Sequence, residues 1–317
     1  MKCLILLALL FAAPAAAETV YVSNERGNTV TVIDGATMKV VASWPVGKRP
    51  RGIMLSKDGR TLFVCASNDN SIQVIDRATG KVLRDLPAGD DPEQFALSVD
   101  GTMIFTSNER ENIVTAIDID HGTVAWQAAT GEEPEGMATS PDGKWIVSTS
   151  ETSHGIHWID STTHRQVDLT EVGERPRHAE FTKDGARLWV SSELGGTVSI
   201  IDVATRKVTD VIHFTPPGVA PEKVLPVGIR FTPDGKTAIV ALGRGAQLAL
   251  IDVATRTVRG YIPVGKRVWH LAISPDGGHA FAANGLSNTV SVVDLKSETV
   301  VATIPAGDGP WGVAIAP

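Results

Sequence analysis

The sequence repeats itself every 42 residues, and this period decides what the chain can fold into. An aliphatic residue followed by Asp closes an alternating stretch at Asp34, Asp76, Asp118, Asp160, Asp202, Asp252 and Asp294. The intervals are 42, 42, 42, 42, 50 and 42 residues. An Asp-Gly pair follows in every interval, beginning at Asp58, Asp100, Asp142, Asp184, Asp234 and Asp276. Two anchors with one period mark a chain built from stacked supersecondary units. The hexapeptide Ile-Asp-Val-Ala-Thr-Arg, found at 201–206 and again at 251–256, is the same turn of two neighbouring units.

Each unit reads as four strands. NTVTVID (28–34) alternates with period two, as a half-buried strand does, and TLFVCAS (61–67) is an apolar run of strand length. Asp-Gly between such runs is a hairpin signal, because Gly reaches positive φ at little cost. Strand A (RGIMLS, 51–56) leads into that turn and strand B follows it; strand C ends in Ile-Asp, and strand D (KVLRDLP, 81–87) comes last. In Ile-Asp-x-x-Thr the carboxylate is expected to accept backbone N–H groups of the C–D turn, a structural role repeated seven times.

Seven such units predict an all-β, seven-bladed β-propeller with four-stranded blades around a central channel. The termini complete one another. Residues 19–24 (TVYVSN) enter as a strand B, and 312–317 (GVAIAP) form a strand A with no Asp-Gly after it. The last blade is therefore expected to close 1+3, from the C-terminal strand and the N-terminal strands, leaving no free edge. Deleting 311–317 should then weaken the whole ring.

Residues 1–17 stand apart from the repeat. MKCLILLALLFAAPAAAE has one Lys, a short apolar run and Ala15-Ala16-Ala17, the pattern of a secretory signal peptide. The run is too short to span a bilayer. The expected organisation is a signal peptide over 1–17 and a single propeller domain over 18–317, in the periplasm or secreted, monomeric and not inserted in the membrane after cleavage. Losing Lys2 leaves 28 basic and 36 acidic side chains, a net charge of −8. That sign argues against nucleic acid, which requires a basic surface. Cys65 is then the sole cysteine, expected buried and inert on strand B.

YVSN (21–24), NTVTVID, VGKRP (46–50) and the Asp-Gly turn resemble the YVTN-type β-propeller repeat, and the likeness runs over 19–317. ETVYVSNERGNTVTVIDG, RPRGIMLS, PEGMATSPDG, WVSSELGGTVSIIDVATRKV and VWHLAISPDG are similar to the β-propeller proteins associated with PQQ-dependent catabolism. That resemblance implies a secreted component encoded beside quinoprotein alcohol oxidation. It implies no particular reaction.

Positions where the blades differ are the candidates for a site. The D–A and B–C connections share one face, the usual ligand face by fold-level analogy. After the Pro of Gly-x-x-Pro, the residues going round are Trp311, Arg51, Glu93, Glu135, Arg177, Val227 and Trp269. One sector is charged and the other apolar. The next position is Gly except at Gln94, His178 and His270. Nine residues before each repeating Asp stand Glu25, Ser67, Glu109, Glu151, Glu193, Gly243 and Gly285, the two glycines leaving room beside the apolar sector. The long interval holds a Pro-rich insertion, 214–228, on the same face: a flap over a pocket, or a tolerated loop.

The ligand-binding rim expected from these comparisons is Arg51, Glu93, Glu135, Arg177, His178, Trp269, His270 and Trp311. No cofactor is expected. Glu151, Glu193, His178 and His270 offer a divalent metal ion suitable ligand types, though without a local metal-binding spacing. The chain lacks CxxCH, a vicinal Cys pair and a G-x-S-x-G elbow. Two functions follow. One is a non-catalytic binding or scaffolding component for a protein partner or a small quinonoid or aromatic ligand. The alternative is a metal-dependent hydrolase of lactonase type on the loop face.

Overall fold

The computed structural model describes residues 18–317; the signal-peptide expectation for 1–17 lies outside the described residues. Seven four-stranded antiparallel sheets are arranged as blades. Blade 1 combines Pro310–Ala316 as strand A with Thr19–Asn24, Thr29–Asp34 and Lys39–Pro45, so the ring closes 1+3. Blade 2 begins with Pro50–Leu55 and blade 3 with Pro92–Leu97. Blades 4 to 7 begin with Pro134–Thr139, Pro176–Phe181, Ile229–Phe231 and Val268–Ile273. No helix among the described residues is long and apolar enough to cross a membrane.

The repeating aspartates do what their spacing predicts. Asp34 Oδ1 accepts the Thr37 N–H at 2.7 Å, and Asp76, Asp118, Asp160, Asp202, Asp252 and Asp294 each accept the N–H three residues on. The core lies between blades. Trp189, Val198 and Ile200 of blade 5, for example, pack with Ile229, Val240 and Ile251 of blade 6. Cys65 is fully buried, and burial pushes its thiol pKa far up, leaving it unreactive.

Strand A positions the site. In every blade but blade 6, its pairing to strand B slips by one residue near the start. This β-bulge sets two consecutive residues against one and re-aims their side chains. Arg51, Glu93, Glu135, Arg177, Trp269 and Trp311 stand at the first bulged position, and Gln94, His178 and His270 at the second. Glycine at the second position of the other blades has a steric cause. A Cβ on Gly136 would lie 2.6 Å from the Arg177 carbonyl oxygen, and one on Gly312 would lie 2.8 Å from that of Arg51.

The insertion is part of the wall rather than a free flap. Phe214 and Val224 join the core between blades 5 and 6, and the Val227 N–H donates to the Ala241 carbonyl at 2.9 Å. The room expected beside Gly243 and Gly285 is filled. A Cβ on Gly243 would meet the Leu225 carbonyl at 2.5 Å, and one on Gly285 would meet the Trp269 indole at 2.6 Å.

Candidate functional site

The loop end of the channel is closed by a buried web of ion pairs. Arg51 pairs with Glu93 and, at 2.8 Å, with Glu25; Arg49 bonds Asp91 at 2.6 Å. Arg177 pairs with Glu135, Glu151 and Glu193, the last at 2.6 Å. Arg175 reaches Glu151, and Arg267 bonds Glu193 at 2.6 Å. Arg177, Arg267 and the acids they meet are removed from water because each faces an opposite charge with hydrogen bonds, whereas Arg49 and Arg175 stay partly exposed.

The apolar sector locks into the same web. The Arg267 guanidinium lies 3.8 Å from the Trp269 ring centre, Arg177 lies 5.8 Å from it, and Arg51 lies 5.6 Å from the Trp311 ring. Trp269 and Trp311 are 6.1 Å apart, tilted at 35°. Their faces are occupied by arginines as cation–π partners. The eight rim residues named from sequence thus come together around the axis, six of them in this web and the two histidines beneath it. Glu151 and Glu193 belong to the web too and stand apart from His178 and His270. Among the described residues, the acids close enough to share an ion are Asp91, Glu93 and Glu109, and Arg49 and Arg51 already neutralise the first two.

The web predicts a pH signature. Burial raises the Glu151 carboxyl to about 7, with the charges of Glu109 and Glu133 adding to it and Arg175 opposing it. A raised carboxyl binds its proton more tightly in the folded state, so its contribution to stability falls as pH rises from the unfolded value, about 4.4, to about 7. The buried histidines act in the opposite direction. Replacing Glu151 by Gln should therefore make stability fall less steeply across pH 4.5–7, measured as the difference between the urea unfolding curves of variant and wild type. Parallel pH dependences would show that Glu151 titrates normally.

Below the web the channel opens toward the Asp-Gly turns as a cavity of about 340 Å³. Its wall is mixed: His178, Glu180, Arg230, His270 and Gln94 are among its polar residues, and Met54, Phe95 and Met137 among its apolar ones. Arg230 Nη1 donates to His178 Nε2 at 2.6 Å and to Glu180 Oε2 at 2.9 Å. His178 Nε2 lies 3.4 Å from Glu180 Oε2, and its ring packs edge-on to His270, 5.3 Å between centres.

Burial depresses the pKa of both histidines. For His270 the charges of His178 and Arg230 add to the effect and hold it well below the usual range. Both rings are neutral at pH 7. Burial pushes the Glu180 carboxyl up, but Arg230 and His178 more than offset this and keep it ionised. His270 Nε2 is buried without a hydrogen-bond partner. A neutral imidazole, a carboxylate and a guanidinium facing one cavity can remove a proton from water and stabilise an oxyanion.

Sequence reasoning found His178 and His270 but missed Glu180 and Arg230. The signal was two residues further along strand A. There the blades read Ala314, Met54, Ala96, Ala138, Glu180, Arg230 and Ala272, and two neighbouring blades alone are charged.

Comparisons with known proteins bear on the same region. Residues 7–100 match the family model described as YNCE-like beta-propeller. Residues 159–303, which include His178, Glu180, Arg230 and His270, match the model described as Lactonase, 7-bladed beta-propeller. No curated protein matches the sequence. Among solved structures, a putative 6-phosphogluconolactonase from Bacteroides uniformis is 21% identical with a TM-score of 0.79, covering 95% of this chain and 100% of the other. Hydrazine synthase of Kuenenia stuttgartiensis is 23% identical, TM-score 0.72, over 82% and 87% of the two chains. The dihydro-heme d1 dehydrogenase NirN is 18% identical, TM-score 0.69, over 93% and 74%. At these identities the shared property is the fold: the chain is a seven-bladed β-propeller similar to YNCE-like propellers in its first third and to lactonase propellers across its later blades.

Proposed function

We propose that the protein is a hydrolase of lactonase type whose reaction takes place in the channel cavity. The observation that carries this reading is the His178–Glu180–Arg230 cluster, on adjacent blades within the segment that matches the lactonase model. A cyclic ester enters from the Asp-Gly face with its carbonyl oxygen toward Arg230. His178 Nε2 takes a proton from water as the water oxygen attacks the carbonyl carbon. Arg230 stabilises the negative charge that develops on the carbonyl oxygen, and Glu180 stabilises the imidazolium. The ring C–O bond then breaks, His178 returns its proton to the departing oxygen, and an open-chain hydroxy acid leaves.

The test is acid release from a panel of five- and six-membered lactones. His178→Gln and Arg230→Met should each lower kcat by about 10²- to 10⁴-fold, with the melting temperature within a few degrees of wild type. Absence of turnover across the panel, or turnover untouched by both changes, would refute the assignment.

A second reading has its own observation. An open hollow of about 730 Å³ on the loop face is lined by Asp91, Glu109, Glu132 and Glu133 with Arg49 and Arg110. With the resemblance to propellers associated with PQQ-dependent catabolism, it supports a binding component exported to the periplasm. Co-purification of a partner that leaves the channel residues dispensable would favour it.

A further inference from the structure

Gln94 belongs to blade 3, yet its side chain grips two consecutive residues of blade 5. Its Nε2 donates to the Arg177 carbonyl oxygen at 3.1 Å, and its Oε1 lies 3.3 Å from His178 Nδ1. Nothing in the lactonase reading requires this bond. The side chain is buried, and its backbone is fixed by Thr106 Oγ1, which donates to the Gln94 carbonyl at 3.1 Å.

The protons follow from the shortest contact, Arg230 to His178 Nε2 at 2.6 Å, which outweighs the 3.4 Å approach of Glu180 Oε2 to the same nitrogen. A carbonyl oxygen only accepts, so the Gln94 amide must present its NH₂ to Arg177 and its oxygen to His178. That oxygen also only accepts, so His178 Nδ1 must carry the proton. Arg230 has no acceptor, so His178 Nε2, 2.6 Å from it, must be the bare nitrogen. Starting from Arg177 or from Arg230, the assignment is the same tautomer.

We propose that Gln94 is the positioning residue that keeps the His178 proton on Nδ1 and the Nε2 lone pair facing the cavity. The inference rests on the reading of His178 as the base. At rest, Arg230 enforces the same tautomer. Once the guanidinium turns to a substrate oxygen, that constraint is gone; Glu180 Oε2, 3.4 Å from Nε2, would then draw the proton there, and Gln94 is the contact that keeps it on Nδ1. The geometry of the ring level explains why this reach is possible. Glycine at 52, 136, 228 and 312 leaves the axis to three side chains, those of Gln94, His178 and His270.

The test is long-range ¹H–¹⁵N NMR of the histidine-labelled protein at pH 8, with His178 assigned through His178→Gln. Wild type should show protonated Nδ1 and bare Nε2 at His178. In an Arg230→Met background, which removes the second constraint, adding Gln94→Leu should mix the tautomers; with Arg230 in place, Gln94→Leu should lower kcat at least about tenfold with KM little changed. Gln94→Glu should restore protonated Nδ1, because a carboxylate accepts its hydrogen bond. It should also shift the acid limb of the pH–rate profile upward, because the added charge favours the imidazolium. A wild-type His178 protonated on Nε2, or an Arg230→Met/Gln94→Leu protein with the wild-type His178 tautomer, would overturn the inference. The spectrum decides whether or not any lactone is turned over, so failure of the lactonase reading is seen separately in the acid-release assay.

Discussion

A chain ending at residue 310 will not hold a closed ring. Residues 311–317 supply most of strand A of blade 1, pairing Val313 with Val22 and Ala316 with Thr19. They bury Trp311, Val313, Ala314 and Ala316. Burying one large apolar side chain contributes about 1.5–3 kcal/mol, and a whole domain is stable by only about 5–15 kcal/mol. The loss therefore removes a large part of the total. It also leaves the Thr19–Asn24 strand as an unpaired edge beside an open channel. The truncated protein should lose its cooperative thermal transition and elute from gel filtration as aggregate, and a synthetic 311–317 peptide should recover part of the transition. A truncated ring that still melts cooperatively within a few degrees of wild type would show that closure contributes little.

The second large effect is at Arg177. Its guanidinium holds Glu135, Glu151 and Glu193 in a region where all four side chains are nearly excluded from water. Arg177→Met keeps the volume and removes the charge. Breaking a buried pair typically costs about 3–5 kcal/mol, because the partner stays buried and uncompensated. The carboxyls released in this way have their pKa raised in the folded state. The deficit against wild type should therefore be full at pH 8 and shrink as pH falls toward about 4.4, the unfolded value. Urea unfolding at both pH values measures it. A cost below about 1 kcal/mol at pH 8 would mean that water reaches the web.

The fold was legible because its cause is periodic. Seven aliphatic-Asp turns and six Asp-Gly turns are local events, each decided by a few residues, and their spacing alone specifies blade number and closure. The web was legible in part. Comparing equivalent positions identified Arg51, Glu93, Glu135 and Arg177 as departures from symmetry, but which acid each arginine meets depends on how side chains of neighbouring blades lean toward one another. The glycines at 243 and 285 were read as open room, whereas Leu225 and the Trp269 indole fill it, because a small residue records space without recording its occupant. The cavity escaped for a different reason. Attention to the loop face, by analogy with other propellers, passed over Glu180 and Arg230, which lie deeper along strand A and face the opposite end.

The most direct measurement of the central claim is a crystal structure of the protein with the hydroxy-acid product of its best lactone. The product carboxylate is expected against Arg230, within hydrogen-bond distance of His178 Nε2, in the cavity that opens at the Asp-Gly turns. Product bound instead on the loop face among Asp91, Glu109 and Glu133, with the channel empty, would contradict it.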